Sequence, residues 1–525
     1  MKHCTRTAVI TVASATAPVL AIEVQVPSAE YPTLSVALLL AQTDDIDTIT
    51  LLDTASGDAA DFIGSFDLNP ANRQITIQGE AGADVIVDAF GTGSVFRVSD
   101  PDLDGLVIRN LTIRGGQAAN GGGLDFNAAI TVTVEDCLFI KNGNDTPSGI
   151  GSTSRGGAIS CGWPASGSAV TGGTLNLLRC GFVGNSSSAI GGAIYINDYR
   201  TNITDCTFED NACPRVPDTD PVPSVGEGGA IFMNNDLLAI NGTVFRNNFA
   251  ADDGGAIVIS GGNGAGEIDR ASFFDNAAGR VDSPQGRGGA IRVNSGGLLD
   301  MTNSVLVRNF SAFFGPAIYI QDNVDLAHCT VVDNTSATAG ASSAFNLAPG
   351  GSLEATNCII RGATSVFTGT NAQSVFLSYT NYTGSPGIPG APSVNGTIDA
   401  DPMFVDPTND DYRLMNGSPC IDSGDSITGT GSIVQLDIAT DFGGNVRGIG
   451  DPDTPNTGVS AWDLCVDMGA FEFQPFIVGN NPCPGDTTTT GATLMGQEGF
   501  GEPDGTVDLD DLGYFLGVWL AGCPL

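Results

Sequence analysis

The sequence predicts an all-β solenoid of short strands stacked in parallel, followed by a small α-helical calcium-loop module. Three observations predict it. Two short phrases recur in fixed order through the middle of the 525-residue chain. The runs between turn residues are short and alternate with the two-residue period of strands, as in Ala230-Ile231-Phe232-Met233, and no repeating unit carries a 3.6-residue period. The composition, with Gly 71, 7% aromatic and 15% charged residues, suits many tight turns and small stacked side chains.

The first phrase is Gly-Gly-Ala-Ile, at Gly156, Gly191, Gly228, Gly254 and Gly288, with variants at Gly121 and Gly315. The second is an apolar residue, two spacers and Asn: Phe139/Asn142, Phe182/Asn185, Phe208/Asn211, Phe245/Asn248, Phe273/Asn276, Leu306/Asn309 and Val331/Asn334. Aligned on the second phrase, a column of mostly small residues appears two positions upstream: Leu111, Cys137, Cys180, Cys206, Thr243, Ala271, Ser304, Cys329 and Cys358. A repeat made of short strands cannot close a core by itself. It can stack on its next copy about 4.8 Å away, so that equivalent residues form ladders. The small column is then expected to point inward as neutral, stacked thiols and their small substitutes. The Asn column is expected to be a turn ladder, left-handed in backbone and bonded amide to amide. The Gly pair is expected to supply a turn with positive φ. The longer steps place insertions around 143–155 and 214–227 outside the coil.

This is the pattern of a right-handed parallel β-helix, the pectate-lyase-like superfold. Over roughly residues 105–360 the two phrases resemble the repeats of chlamydial polymorphic membrane proteins. The resemblance implies a surface adhesin. The fold alone does not, since enzymes, adhesins and spacers share it.

The ends differ from the middle. Residues 1–21 carry Lys2, His3 and Arg6, an apolar stretch and small residues at Val19 and Ala21, as a secretory signal does. Residues 22–104 read as an N-terminal cap and first rungs. Within them Pro32 to Gln42 reads as a short helix with Leu34, Ala37, Leu38 and Ala41 on one face. Residues 105–400 are the β-helix repeats. Residues 401–473 hold Asp401-Pro402-Met403-Phe404, Gly417-Ser418-Pro419-Cys420 and Met468-Gly469-Ala470-Phe471-Glu472. They resemble the tail of many secreted bacterial β-helix proteins and read as a C-terminal cap, with Cys420 and Cys465 as plausible disulfide partners across it. The chain has 12 cysteines, 11 of them after the signal, and an odd number cannot all pair within one chain.

From residue 474 the composition changes. Glu502-Pro503-Asp504-Gly505-Thr506-Val507-Asp508-Leu509-Asp510-Asp511 reads as the second half of an EF-hand-type loop. Asp504 takes the fifth loop position, Thr506 offers its carbonyl, and Asp508 and Asp511 take the ninth and twelfth. Glu502 falls at the third position. Phe500, at the first, has no ligand oxygen, and Asp486 serves there only if the residues between form an excursion. Leu512, Phe515, Leu516, Trp519 and Leu520 follow at helical spacing. The segment resembles half of a dockerin, and more closely the single-copy tails ending in Gly-Cys on secreted planctomycete-type proteins. The resemblance implies bound calcium and a cohesin-like or cell-surface protein partner, although the duplicated second motif is missing.

The net charge of −39 argues against binding nucleic acid or an anionic membrane surface by charge. No run reaches the roughly 18 apolar residues of a membrane span. For catalysis, the sequence offers Asp136, Arg179 and Asp205, which stack in alternating sign in one turn column with His328, the one His after the signal. Ladder electrostatics would select the same residues, and no hydrolase phrase of the Asn-Thr-Asp or Gly-His-Gly type occurs. The expected function is a secreted, non-catalytic surface, adhesion or structural protein anchored by its tail. The alternative is a polysaccharide lyase or glycoside hydrolase, with a polysaccharide as partner.

Overall fold

A computed structural model describes residues 22–475, apart from 43–45, 55–59, 69–73, 99–102, 127, 144–153, 163–171, 215–225, 280–285, 339–342, 363–364, 370–374, 384–392, 427–439 and 460–464. The signal-like segment 1–21 and the calcium-loop tail 476–525, with Asp486, Glu502, Asp504, Thr506, Asp508 and Asp511, lie outside the described residues. So does most of the two expected insertions.

The described chain is a parallel β-helix. Its first sheet has 14 strands, from Ile22–Val26 to Ser393–Asn395; its second has 12, from Phe62–Ile63 to Asn381–Tyr382; its third has 11, from Phe66–Asp67 to Ser365–Gly369. Five two-residue strands, from Ala212–Cys213 to Thr335–Ser336, form a narrow fourth sheet. The chain visits the first, second, fourth and third in turn, so each circuit lays one rung on the last. The register is in phase with the repeat: Ile203 pairs with Ile240, Ile240 with Ile268, and Ile268 with Met301.

In-phase stacking turns sequence columns into interior ladders. Phe139, Phe182, Phe208, Phe245 and Phe273 stack ring on ring, at centroid separations of 4.9, 4.6, 4.9 and 4.8 Å. The small column lies inside as expected, with Cys137, Cys180, Cys206, Cys329 and Cys358 all buried and unbridged. Where that side chain has a suitable atom, it accepts from the backbone one rung back: Cys180 N donates to Cys206 Sγ (3.3 Å) and Ala271 N to Ser304 Oγ (3.1 Å). Burial pushes the Cys137 thiol up to about 12 and raises Cys329. Within the Cys180–Cys206 pair the shared hydrogen bond raises Cys180 and lowers Cys206. Labelling of the native protein with a thiol reagent should therefore be slow at all five positions. Mass mapping should find no Cys180–Cys206 or Cys329–Cys358 bond.

The turn assignments need one correction. The Asn ladder does bond amide to amide, but its members are buried, and they are not the left-handed residues. The left-handed position is the residue before each Asn: Lys141, Gly184, Asp210, Asn247, Asp275, Arg308 and Asp333, with φ from 50° to 62°. The preceding residue turns the corner and the Asn amide fills it from inside. The column of Asn110, Asp136, Arg179, Asp205, Arg270, Asn303, His328 and Asn357 is left-handed throughout, with φ from 45° to 55°.

The two glycines of Gly-Gly-Ala-Ile serve different ends. Gly228 has φ 71°, the backbone expected of it. A Cβ on Gly229 would sit 2.0 Å from the Gly255 carbonyl oxygen of the next rung, so this position is kept bare by a neighbouring backbone.

The helix Leu34–Ala41 forms where expected and buries Leu34, Ala37, Leu38 and Ala41. Thr33 caps it, its Oγ1 accepting from Val36 N at 3.3 Å. It packs on the first two strands of the first sheet.

The described residues of 401–475 leave the last rung and fold back along the outer face of the second sheet. A hairpin of Phe404–Asp406 and Asp411–Leu414 leads the way. Tyr412 and Ala470 bury Phe274, Val305, Val307 and Val332. Asp410 pairs with Arg246 (3.2 Å) and Arg308 (2.8 Å). Second-sheet strands in this region therefore read as continuous apolar runs, such as Val305-Leu306-Val307, because both faces are covered. Cys420 and Cys465 are not joined: Cys420 is a buried thiol whose Sγ accepts from Asn381 Nδ2 at 3.0 Å.

Candidate functional site

The structure brings two of the three predicted catalytic residues together, at the surface. Arg179 Nε and Nη2 donate to the two Asp136 carboxylate oxygens at 2.7 and 2.8 Å, and Nη2 also donates to Glu135 Oε1 at 2.6 Å. The side chains of Arg179 and Asp136 are 49% and 42% exposed. The Arg179 hydrogen bonds hold the Asp136 carboxyl below its ordinary value, and those of Asp136 and Glu135 raise Arg179. A base already saturated by a bidentate guanidinium is a poor proton acceptor. Asp205 follows one rung on in the same column. His328 is fully buried, its Nε2 3.1 Å from the Asn357 amide.

A more enzyme-like cluster lies elsewhere, at the residue before each Gly-Gly. Bridges stack Glu227 on Asp253 and Asp253 on Arg287. From the third sheet, two rungs beyond Glu227, Arg292 Nη1 donates to Glu227 Oε1 (3.3 Å) and also to Asp253 Oδ2. Asp253 Oδ1 accepts from Arg287 N at 2.8 Å. The Arg287 and Arg292 guanidinium carbons lie 5.5 and 5.9 Å from the Tyr319 ring centroid, within cation–π range. Burial pushes the Glu227 carboxyl up to about 7, against the pull of Arg292, and raises Asp253 as well. A carboxyl poised near neutrality beside a second carboxyl and an Arg can exchange protons at physiological pH.

Sequence reasoning missed this cluster. Its trace was there, as a charged residue directly before the Gly pair at Arg155, Glu227, Asp253 and Arg287. Only the register shows that Arg292 reaches back two rungs to Glu227.

On the outer face of the first sheet a shallow groove of about 350 Å³ runs between Asn202 and Thr302, lined also by Asn241, Glu267, Asp269 and Asp300. Ala239 opens it, being the small residue between Asn202 and Glu267 in their column. Its polar groups are largely engaged with one another: Asp269 accepts from Asn241 Nδ2 (3.1 Å) and Thr302 Oγ1 (2.8 Å). Glu267, Asp300, Asp325 and Glu354 continue as an acidic ladder. Burial and its neighbours push Asp325 up to about 6. Among the described residues no three His, Cys, Asp or Glu side chains are placed to hold a metal ion, and no helix is long and apolar enough to cross a membrane.

Comparison with known families places one match on the solenoid. The model of the Chlamydia polymorphic membrane protein (Chlamydia_PMP) repeat matches residues 242–260. That span covers the left-handed turn at Gly242, the strand Val244–Arg246, the ladder residue Asn248, the Gly254-Gly255 turn and the strand Ile257–Ser260. It is most of one rung. A search of curated proteins finds no match.

Proposed function

We propose that this chain is a secreted, non-catalytic surface protein: the β-helix is displayed, and a dockerin-like tail holds it in an extracellular assembly. The observation that carries the reading is the polymorphic-membrane-protein repeat on a rung of the solenoid. The self-satisfied ion pair of Asp136 and Arg179 supports the non-catalytic part. Calcium orders the tail through Asp504, Thr506, Asp508 and Asp511, with Asp486 and Glu502 as further oxygen donors, and the helix behind them docks on a cohesin-like or cell-surface protein. Truncation after Phe473 should leave the far-UV spectrum of the solenoid intact and release the protein from its cells. A truncated form that stays attached would sink the anchoring role. Normal retention of the Asp504/Asp508/Asp511 triple Ala variant would sink the role of calcium.

One observation favours a second reading, a glycosidase: the Glu227 carboxyl near neutrality beside Asp253. A screen of neutral and acidic polysaccharides, with and without calcium, separates the two. Turnover lost in Glu227→Gln, or in Asp136→Ala or Arg179→Ala, would replace the non-catalytic reading.

A further inference from the structure

The segment 401–475 is fastened over the second sheet by an unbalanced set of buried charges. Asp467 and Glu472 are 0% and 3% exposed. Asp467 accepts from Asp422 N (2.8 Å) and Phe473 N (2.5 Å). Glu472 Oε1 accepts from Gly448 N (2.8 Å) and Ile449 N (3.2 Å), and its Oε2 from Asp467 N (3.1 Å) and Arg447 Nη1 (3.3 Å). These two carboxyls thus tie three stretches of the segment to one another. Arg447 ties them to the solenoid. Its side chain is fully buried, and Nε and Nη2 donate to Asn303 Oδ1 at 3.0 and 2.8 Å, while Nη2 also reaches the Gly469 and Ala470 carbonyls.

One guanidinium therefore meets Glu472, while the Asp467 carboxyl, equally out of contact with water, is met by backbone amides. The other groups on the segment's side deepen the imbalance. Asp422 is buried and its Oδ1 has no hydrogen-bond partner. Asp451 lies against it, its N donating to Asp422 Oδ2 at 2.8 Å, and Asp441 Oδ2 accepts from Glu472 N at 2.9 Å. Cys420 is the buried thiol beside Asp467. From the solenoid, Arg361 bears on the Cys420 thiol, and the core thiol of Cys329 lies within electrostatic reach of Arg447. An uncompensated buried carboxylate is costly enough that the pair keeps a proton instead.

We propose that the described residues of segment 401–475 form a pH-gated latch, closed while the buried Asp467 and Glu472 carboxyls hold one proton between them and loosened from the solenoid flank when they give it up. Burial pushes Glu472 up to about 7, and burial together with Glu472 raises Asp467. Both shifts are upward from the unfolded values. The stabilisation is thus complete below the ordinary carboxylate range and is lost as pH rises through about 7. Loosening uncovers the apolar outer face made by Phe274, Val305, Val307, Val332 and Ile359.

Hydrogen exchange on the full-length chain tests this. Two amides that cross from the segment to the solenoid report the latch: Gly469 N, bonded to Asn357 O, and Ala470 N, bonded to Thr330 Oγ1. Between about pH 6 and about pH 8.5 their protection, corrected for intrinsic exchange, should fall about tenfold or more. Strand amides of the solenoid core such as Ile268 should keep theirs. Binding of an apolar dye should rise over the same range. Glu472→Gln and Asp467→Asn should each flatten the dependence. Equal corrected protection at both pH values in the native sequence overturns the latch. So does a native-like pH dependence surviving in both variants. Should neither variant fold, the measurement on the native sequence decides alone.

Discussion

Asn248→Leu is expected to destabilise the solenoid by about 4 kcal/mol or more, read as a shift of the urea midpoint followed by circular dichroism. Asn248 is fully buried. Its Nδ2 donates to Phe208 O (2.9 Å) and Asn276 Oδ1 (2.9 Å), and its Oδ1 accepts from Asn211 N (3.1 Å) and Asn211 Nδ2 (3.0 Å). Leucine matches the volume and none of the bonds. It would strand donors and acceptors on both neighbouring rungs, each at about 1–3 kcal/mol. The adjacent Asn247 is the control. It is exposed and left-handed at φ 54°, so Asn247→Gly should change stability by no more than about 0.5 kcal/mol. Equal effects at the two positions would show that the buried amide ladder is not what holds the rungs.

Gly229→Ala should be at least as damaging, although it adds one methyl group. The added Cβ would meet the Gly255 carbonyl oxygen at 2.0 Å and the backbone of Phe249 at 2.7 Å. Neither can rotate away, since both are main-chain atoms of the next rung, and relief requires the rungs to part. In a stack where each rung touches only its neighbours, an interior gap divides the protein into two blocks. Thermal unfolding should then split into two transitions, with a loss beyond the usual ~1–3 kcal/mol of overpacking. The control is Gly172→Ala, where an added Cβ meets nothing within 4 Å but φ is 92°, so only backbone strain is felt. A single, barely shifted transition for Gly229→Ala would mean the rungs yield more readily than their hydrogen bonds imply.

The charge excess of the C-terminal segment and the Glu227 cluster mark where reading the sequence stopped. The recurring phrases foretold the coil, because a period in sequence becomes a ladder in space once strands pair in register. They foretold the buried cysteine column and the Gly turns, and helical spacing foretold the face of the first helix, for the same reason: each depends on residue type and spacing over a short local stretch. The left-handed position was misjudged by one residue, because two adjacent positions at the corner both suit Asn and only the backbone distinguishes the one that turns from the one that fills.

By itself, then, the sequence determined a stacked all-β solenoid, its rung boundaries, its inward columns and its opening helix. The tertiary structure alone decided that the described residues of 401–475 lie along the flank, that Arg447 reaches Asn303, 144 positions earlier, and that Arg292 gathers Glu227 and Asp253. Local spacing carries no information about contacts between rungs or across a chain reversal. Those depend on how many rungs intervene and which sheet face is left apolar, quantities that exist only once the coil is wound.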